Sequence, residues 1–359
     1  MIWNKIKKLS TVSGNRTIKC KFILDRGNLY QYCILHEDYT MEENGDGTLK
    51  PTPIIEFDGM ILPPFPPLRE DVKKRFEEIR NLACRKDDII LATYPKSGTH
   101  WVWEIVCMLL KNKPEYSKEG KELLFLESIP DISMVDNIPS PRPFNTHIPY
   151  RWFPKQHTEN GGKIIHVLRN PKDVAASFYH HARNTEEFGE ISDFKSFYEN
   201  VYVGSVQPLG GWFAYEKEFE QAEINDTHNA IFTVQYESLK KDPIGETKRL
   251  AKFLDVDVND EIIAEIADKC SFRKLKEANA TVKDHSRLSK LHPNAREIMM
   301  KMYRKGKTFM YACEMMYMYY GIYELEKEVT TIMSHLGNFC YNLLTAKDDS
   351  FLYKNICLV

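Results

Sequence analysis

The sequence predicts an α/β fold in which helices flank a central parallel sheet within a single domain. Three short apolar segments, residues 88–93, 163–168 and 230–235, are each followed by a turn and then by a helical segment. This repeated order of strand and helix is typical of parallel sheets whose strands are joined by crossover helices. The composition of the 359-residue chain, 43% hydrophobic and 28% charged, is that of a globular protein that can bury a core.

The segment before the first strand has a different character. Residues 1–50 lack sustained periodicity and end in a turn-rich stretch with Gly and Asn, so we interpret them as an N-terminal extension. Prolines within residues 62–67 favour an extended chain, and a first helix is predicted from about Arg69 to Cys84.

Charge and cysteine usage exclude several classes of protein. The chain has 49 Lys and Arg against 51 Asp and Glu, whereas a dedicated nucleic-acid binder carries surplus positive charge. The 8 cysteines are scattered without a C-x-x-C pair, which favours reduced, packed thiols. The N-terminus lacks a signal-peptide pattern, and no run of about 18 apolar residues occurs. We therefore expect a cytoplasmic protein that neither spans a membrane nor binds nucleic acid.

The first strand is followed by a sequence suited to binding an anion. In residues 94–101, YPKSGTHW, one Gly permits a tight turn, and the backbone N–H groups of a helix start then point outward. Lys96 adds positive charge, and Trp101 offers a flat face to a base. The octapeptide resembles a Walker A loop but lacks its first Gly and places Lys before Ser-Gly-Thr. A phosphate-like ligand is expected, although a strand–helix junction without a ligand stays open.

The second and third units add further candidates. Arg169 leaves the end of a strand, where open α/β sheets bind ligands, and Ser177 lies two helical turns further on. The planar fork of Arg suits a phosphate, and Asn170 is a candidate N-cap with Pro171 in the first helical position. A helix start with solvated charges is the alternative. In the third unit we expect a helix to resume near Ile244.

Taken together, these motifs resemble the cytosolic sulfotransferases, which transfer a sulfuryl group from 3′-phosphoadenosine 5′-phosphosulfate (PAPS) to hydroxyl or amine acceptors. YPKSGTHW resembles the family's 5′-phosphosulfate loop, residues 166–181 its 3′-phosphate segment, and residues 144–149, FNTHIP, the stretch with its catalytic histidine. The resemblance implies a P-loop-like, three-layer fold, with a domain over residues 51–306 and a divergent C-terminal tail over 307–359, expected to be helical.

The resemblance also implies roles for individual residues. His147 would be the general base, with Lys96 and Ser97 also catalytic, and no metal is expected, since a sulfuryl group bears less charge than a phosphoryl group. The residues implied to bind PAPS, or its product 3′-phosphoadenosine 5′-phosphate (PAP), are Lys96, Ser97, Gly98, Thr99, His100, Trp101, Arg169, Ser177, Tyr236, Phe272, Arg304, Lys305 and Gly306.

Four features depart from the family pattern, and one of them is Cys270, which stands where the family usually has a Thr near the adenosine. His100 stands where the family usually has a second Thr, and Asn145 replaces a Lys two residues before the base. After Gly306 the family's Gly-Asp-Trp-Lys sequence and dimer motif are missing, so a homodimer stays open.

The expected acceptor is a small, fairly apolar phenol, steroid or other alcohol, as in small-molecule metabolism. Phe178, Tyr179 and residues 62–67 are candidates for the walls of its pocket, with ordinary core packing as the alternative. Two other functions stay open: a PAPS- or PAP-binding relic without turnover, suggested by Asn145 and the tail, and a P-loop nucleotide kinase, which the spacing around Lys96 opposes.

Overall fold

The structure is a computed structural model that describes residues 19–25, 28–34, 39–43, 49–53, 55–118, 120–185, 191–204, 207–228 and 230–281. Arg304, Lys305, Gly306 and the predicted tail 307–359 lie outside the described residues. The domain boundaries at residues 50 and 306 therefore stay predictions.

Six short strands precede the predicted sheet and pair as three antiparallel hairpins. Strand β1 (Lys19–Asp25) pairs with β2 (Asn28–Ile34), β3 (Tyr39–Glu43) with β4 (Leu49–Pro53), and β5 (Ile55–Phe57) with β6 (Met60–Leu62). The sequence did not predict these strands, because strands of 3 to 7 residues give too few repeats for their periodicity to be recognised.

The centre of the molecule is a parallel sheet of four strands. These are β7 (Ile89–Thr93), β8 (Pro143–Thr146), β9 (Lys163–Leu168) and β10 (Ile231–Gln235), in the order β10-β9-β7-β8. All three pairings are parallel, so the carboxyl ends of the strands meet at one edge. The α/β fold class is confirmed. Strand β8 was not predicted, because it has only 4 residues.

Side chains from both faces of the sheet are buried. Ile90 and Ala92 of β7 belong to one core cluster, whereas Ile89 and Leu91 belong to a second. Because successive side chains of a strand point to opposite faces, helices must cover both, which gives the three layers of the predicted fold.

Ten α-helices are described in residues 55–281, and none is long and apolar enough to cross a membrane. Most predicted helices are confirmed within a few residues. The first helix, however, begins at Pro66 rather than Arg69, because proline is tolerated in the first helical turn, where its missing N–H needs no partner. The helices are α1 (Pro66–Arg80), α2 (Thr99–Lys111), α3 (Lys155–Glu159), α4 (Pro171–Thr185), α5 (Phe194–Phe197), α6 (Trp212–Ile224), α7 (Tyr236–Lys241), α8 (Pro243–Phe253), α9 (Asp260–Lys269) and α10 (Phe272–Thr281).

The helix start at α4 follows the sequence closely. Pro171 is its first residue, and the side-chain oxygen of Asn170 accepts a hydrogen bond of 2.9 Å from the backbone N–H of Lys172. This local capping fixes the direction in which the chain leaves β9, and it brings the first turn of α4 to the carboxyl edge of the sheet.

Candidate active site

The loop between β7 and α2 forms a concave turn at the carboxyl edge of the sheet. Lys96 and Gly98 have positive φ values, 71° and 119°, so the backbone turns sharply before α2 begins at Thr99. The first N–H groups of a helix have no acceptor within the helix and carry partial positive charge. Ser97 is fully buried, and its Oγ has no hydrogen-bond partner among the described residues. These features fit an anion with several oxygens.

Gly98 is required at its position for a steric reason. A Cβ atom placed there would lie 2.8 Å from Cδ2 of Tyr236, well inside van der Waals contact. The close approach packs the loop against Tyr236, the first residue of α7.

Arg169 joins this loop to the end of β9. Its Nη1 donates a hydrogen bond of 2.8 Å to the carbonyl oxygen of Lys96, and its guanidinium carbon lies 4.2 Å from the ring centroid of Tyr236. The Nε atom of Arg169 is buried without a hydrogen-bond partner among the described residues. The ring of Trp101 lies edge-on to Tyr236, with centroids 5.3 Å apart. Arg169, Trp101 and Tyr236 are thus brought together beside the loop.

Three other residues predicted to bind PAPS have different environments. Ser177 is partly buried on α4, and Phe272 opens α10 with 41% of its surface exposed. The hydroxyl of Thr99 forms a hydrogen bond of 2.7 Å with that of Thr93 at the end of β7. Thr99 therefore links the loop to the strand, in addition to any contact with a ligand.

His147 lies just after β8, next to the same edge. Its Nδ1 is 2.7 Å from the carbonyl oxygen of Thr93. A carbonyl oxygen only accepts hydrogen bonds, so we assign the proton to Nδ1, which leaves a lone pair on Nε2. Burial lowers the pKa of His147 to about 3, assisted by the ammonium groups of Lys121 and Lys96. The imidazole is therefore neutral at physiological pH.

A buried carboxyl group fixes the backbone around His147. One oxygen of Glu127 accepts a hydrogen bond of 2.6 Å from the backbone N–H of His147, and the other accepts one of 2.9 Å from the hydroxyl of Thr146. That hydroxyl also accepts the N–H of Ile148 at 3.1 Å. Burial raises the pKa of Glu127 to about 7, although these hydrogen bonds oppose the shift.

Comparison with known proteins identifies the family. The family model described as a sulfotransferase domain matches residues 86–320, which include the loop between β7 and α2, Arg169 and His147. The chain belongs to the sulfotransferase family. Among its relatives, sulfotransferase 1B1 of Canis lupus familiaris is 34% identical over 233 residues, covering 60% of this chain and 77% of the relative. The amine sulfotransferase of Oryctolagus cuniculus is 32% identical over 213 residues, covering 56% and 67%.

Solved structures share the fold. Mouse sulfotransferase SULT7A1 complexed with PAP superimposes with a TM-score of 0.58 at 23% identity, covering 81% of this chain and 96% of its own. Retinol dehydratase in complex with androsterone and PAP gives a TM-score of 0.58 at 21% identity, covering 75% and 86%. These likenesses support the P-loop-like fold, whereas the family match and the relatives support a PAPS-dependent sulfotransferase.

The sulfotransferase has a charged cluster that the sequence analysis missed. Lys121 and Glu122 open a short 3-10 helix, Lys121–Leu124. A carboxylate oxygen of Glu122 lies 3.3 Å from Nε2 of His100 and 3.7 Å from Nζ of Lys121. Burial, together with the positive charge of Lys121, lowers the pKa of His100 to about 4. Burial alone would raise the pKa of Glu122, but Lys121 and His100 outweigh it and lower this pKa to about 2. Burial, assisted by Lys96, holds the pKa of His181 well below its usual value. No motif indicated Lys121 or Glu122, because backbone pairing with β8 brings their segment to the site.

Asn145, the departure two residues before His147, is fully buried. Its Nδ2 donates a hydrogen bond of 2.7 Å to the carbonyl oxygen of Lys121, and its Oδ1 has no hydrogen-bond partner among the described residues. The amide of Asn145 therefore links β8 to the segment of Lys121.

Two predicted walls of the acceptor pocket have different environments in this sulfotransferase. Phe178 and Tyr179 are 3% and 9% exposed and pack with Phe197 in the core, which favours the alternative of core packing for them. Phe65, by contrast, lies edge-on to Phe125 at 5.4 Å, and Phe125 lies edge-on to His147 at 4.9 Å. The segment 62–67 is thus connected to His147 through aromatic rings.

Metal-ligating side chains do not cluster in the part of the sulfotransferase that the structure describes. No group of three or more His, Cys, Asp or Glu there is arranged to hold a metal ion.

Proposed function

We propose that this sulfotransferase transfers the sulfuryl group of PAPS to the hydroxyl of a small, fairly apolar acceptor, with His147 as the general base. The observation that carries this proposal is the orientation of the His147 ring. Because Nδ1–H is committed to the carbonyl oxygen of Thr93, Nε2 is left with a lone pair that can take a proton. A well-placed base of this kind contributes about 10²- to 10⁴-fold in rate.

The donor site is proposed to use two groups of residues. The loop of Lys96, Ser97, Gly98 and Thr99 would hold the 5′-phosphosulfate, which when bound supplies the sulfuryl group and a phosphate leaving group. The unpartnered Oγ of Ser97 and the N-terminus of α2 support this assignment. Lys96 would stabilise the charge that develops on the leaving oxygen.

The other end of the donor is proposed to lie against Arg169 and its aromatic neighbours. The unpartnered Nε of Arg169 can donate to the 3′-phosphate, and Trp101 and Tyr236 offer ring faces for the adenine. Phe272 is proposed to contact the adenine as well. Ser177 is proposed to bind the 3′-phosphate together with Arg169, and so are Arg304, Lys305 and Gly306, which lie outside the described residues. We propose a cytoplasmic location, in line with the resemblance to the cytosolic family.

The acceptor is proposed to be apolar near its reactive hydroxyl. The rings of Phe125 and Phe65, which connect to His147, support an aromatic or alicyclic alcohol over a highly charged one. A relative named amine sulfotransferase makes an amine the second class to test.

Turnover with labelled PAPS and a panel of phenols, steroids and amines tests the proposal. We expect labelled product with the wild-type protein and a loss of about 10²-fold or more with His147→Ala. His228→Ala, which removes an exposed histidine, is the matched control and should keep full activity. Full turnover in His147→Ala would rule out this base.

The alternative, a PAP-binding relic, is suggested by the neutral side chain of Asn145. Calorimetry with PAP distinguishes this alternative from a protein whose donor site does not bind the nucleotide at all. A relic would bind PAP and give no product with any acceptor, whereas an active enzyme binds PAP and turns over.

A further inference from the structure

A largely buried lysine whose ammonium group has no hydrogen-bond acceptor among the described residues lies close to the proposed base. Lys121 is 5% exposed, and within the described part of the chain its Nζ makes no hydrogen bond. Its contacts are a carboxylate oxygen of Glu122 at 3.7 Å and the ring of Phe125, whose centroid is 4.6 Å away. Nζ is not among the fully buried atoms that lack a partner, so its unused donors face a space that water or a polar or anionic ligand can occupy.

The backbone holds Lys121 beside β8. The amide of Asn145 donates to the carbonyl oxygen of Lys121 at 2.7 Å, and the backbone N–H of Leu126 donates to the carbonyl oxygen of Asn145 at 3.1 Å. Phe125 and Asn145 also form an isolated parallel bridge. Lys121 is therefore fixed next to the strand that ends one residue before His147.

The surroundings place the ammonium group near His147. The ring of Phe125 contacts His147 as well as Lys121, so the two groups share one aromatic neighbour. Glu122 offsets the charge of Lys121 from 3.7 Å without accepting a hydrogen bond from it, so the N–H donors of the ammonium group stay available to a ligand. Lys121 also contributes to the lowered pKa values of His147 and His100, which agrees with its closeness to both rings.

We propose that Lys121 is a catalytic residue whose ammonium group binds an oxygen of the sulfuryl group during its transfer. The proposal rests on the function proposed above. In that step the acceptor oxygen forms a bond to sulfur, the bond from sulfur to the bridging oxygen breaks with its electron pair leaving on PAP, and the acceptor proton passes to Nε2 of His147. The sulfuryl oxygens repel the incoming oxygen, and a fixed ammonium group reduces this repulsion. Asn145 cannot supply that charge, because it is neutral and its Nδ2 already donates to Lys121.

The test compares Lys121→Met, which keeps the length of the side chain and removes the charge, with wild type. We expect kcat to fall about 10- to 100-fold, as for the loss of a hydrogen bond to a charged group. The Kd for PAP, measured by calorimetry, should change less than about threefold, because PAP lacks the sulfuryl group that Lys121 binds. Lys118→Met removes an exposed lysine three residues earlier and should leave both quantities unchanged.

Other results would overturn the assignment. A kcat within about threefold of wild type would show that Lys121 does not act in the transfer, and a PAP affinity that falls as much as kcat would assign it to the phosphates instead. If Lys121→Met does not fold, Lys121→Gln, neutral but polar, takes its place with the same expectations. If the wild-type protein itself gives no product, the proposed function is wrong. If wild type and the Lys121 variants turn over equally well, only the role of Lys121 is wrong.

Discussion

Replacing Gly98 by alanine should damage both the stability of the fold and the binding of the donor. The backbone of Gly98 has φ of +119°, which residues with a Cβ rarely adopt. The added Cβ would also lie 2.8 Å from Cδ2 and 3.2 Å from Cε2 of Tyr236. Carbon atoms rest about 3.5 Å apart, so the ring must move by roughly 0.7 Å. Arg169 and Trp101 pack against that ring and resist the movement.

Gly59→Ala is a matched control for the backbone contribution. Gly59 lies in the turn between β5 and β6 with φ of +74°, and nothing lies within 4 Å of its added Cβ. The control should therefore lose only the backbone preference, about 1–2 kcal/mol of unfolding free energy. Gly98→Ala should lose about 1–3 kcal/mol more, because it adds an overpacking cost.

Two assays check this prediction. Chemical denaturation gives the unfolding free energies of the two variants, and calorimetry gives their affinity for PAP. We expect Gly98→Ala to bind PAP at least about tenfold more weakly, since the loop amides and Arg169 must shift with Tyr236. Equal stability of the two variants, together with unchanged PAP binding in Gly98→Ala, would refute the reasoning.

Three further predictions follow from the site. In Glu127→Gln the new amide NH₂ faces either the hydroxyl of Thr146 or the backbone N–H of His147, each of which donates to the carboxyl group in the wild type. The unfolding free energy from denaturant titrations should therefore fall by about 1–3 kcal/mol, and no change would show that Glu127 does not fix this segment. Arg169→Lys should weaken PAP about tenfold in calorimetry and weaken AMP, which has no 3′-phosphate, by a smaller factor, since Arg169 also holds the loop through the carbonyl oxygen of Lys96; equal losses for both nucleotides would contradict the assignment. The pKa of His147 is lowered to about 3 in the folded protein, so as the pH falls below about 6.5 this histidine is protonated in the unfolded chain but not in the folded one, and the free energy of unfolding decreases toward acid pH. For the same reason, the pH profile of kcat/KM for PAPS should show no histidine titration near pH 6.5. An acid limb centred at 6.5 that His147 variants remove would contradict this.

The sheet and the loop were predictable because their signals are local. The apolar run before Tyr94, the single Gly in the turn and the cap at Asn170 each act within a few residues, and the structure places them where these rules require. Arg169 could be assigned to the same edge because parallel strands bring their carboxyl ends together.

The charged cluster beside His147 could not be predicted, because it depends on contacts between distant segments. Lys121 and Asn145 are 24 residues apart, and a hydrogen bond between a side chain and a backbone carbonyl joins them. Similarly, Glu127 reaches the backbone of His147 from 20 residues earlier. Sequence patterns report the face on which a residue lies but not which distant residue it meets, so no pattern indicated Lys121 or Glu122.

The role of His147 is tested most directly by nitrogen NMR of the protein labelled with ¹⁵N-histidine. The His147 signals are identified by their loss in His147→Ala. We predict a neutral ring at pH 6 with its proton on Nδ1, as the contact of 2.7 Å with the carbonyl oxygen of Thr93 requires. An imidazolium at that pH, or a proton on Nε2, would leave no lone pair facing the acceptor and would contradict His147 as the base.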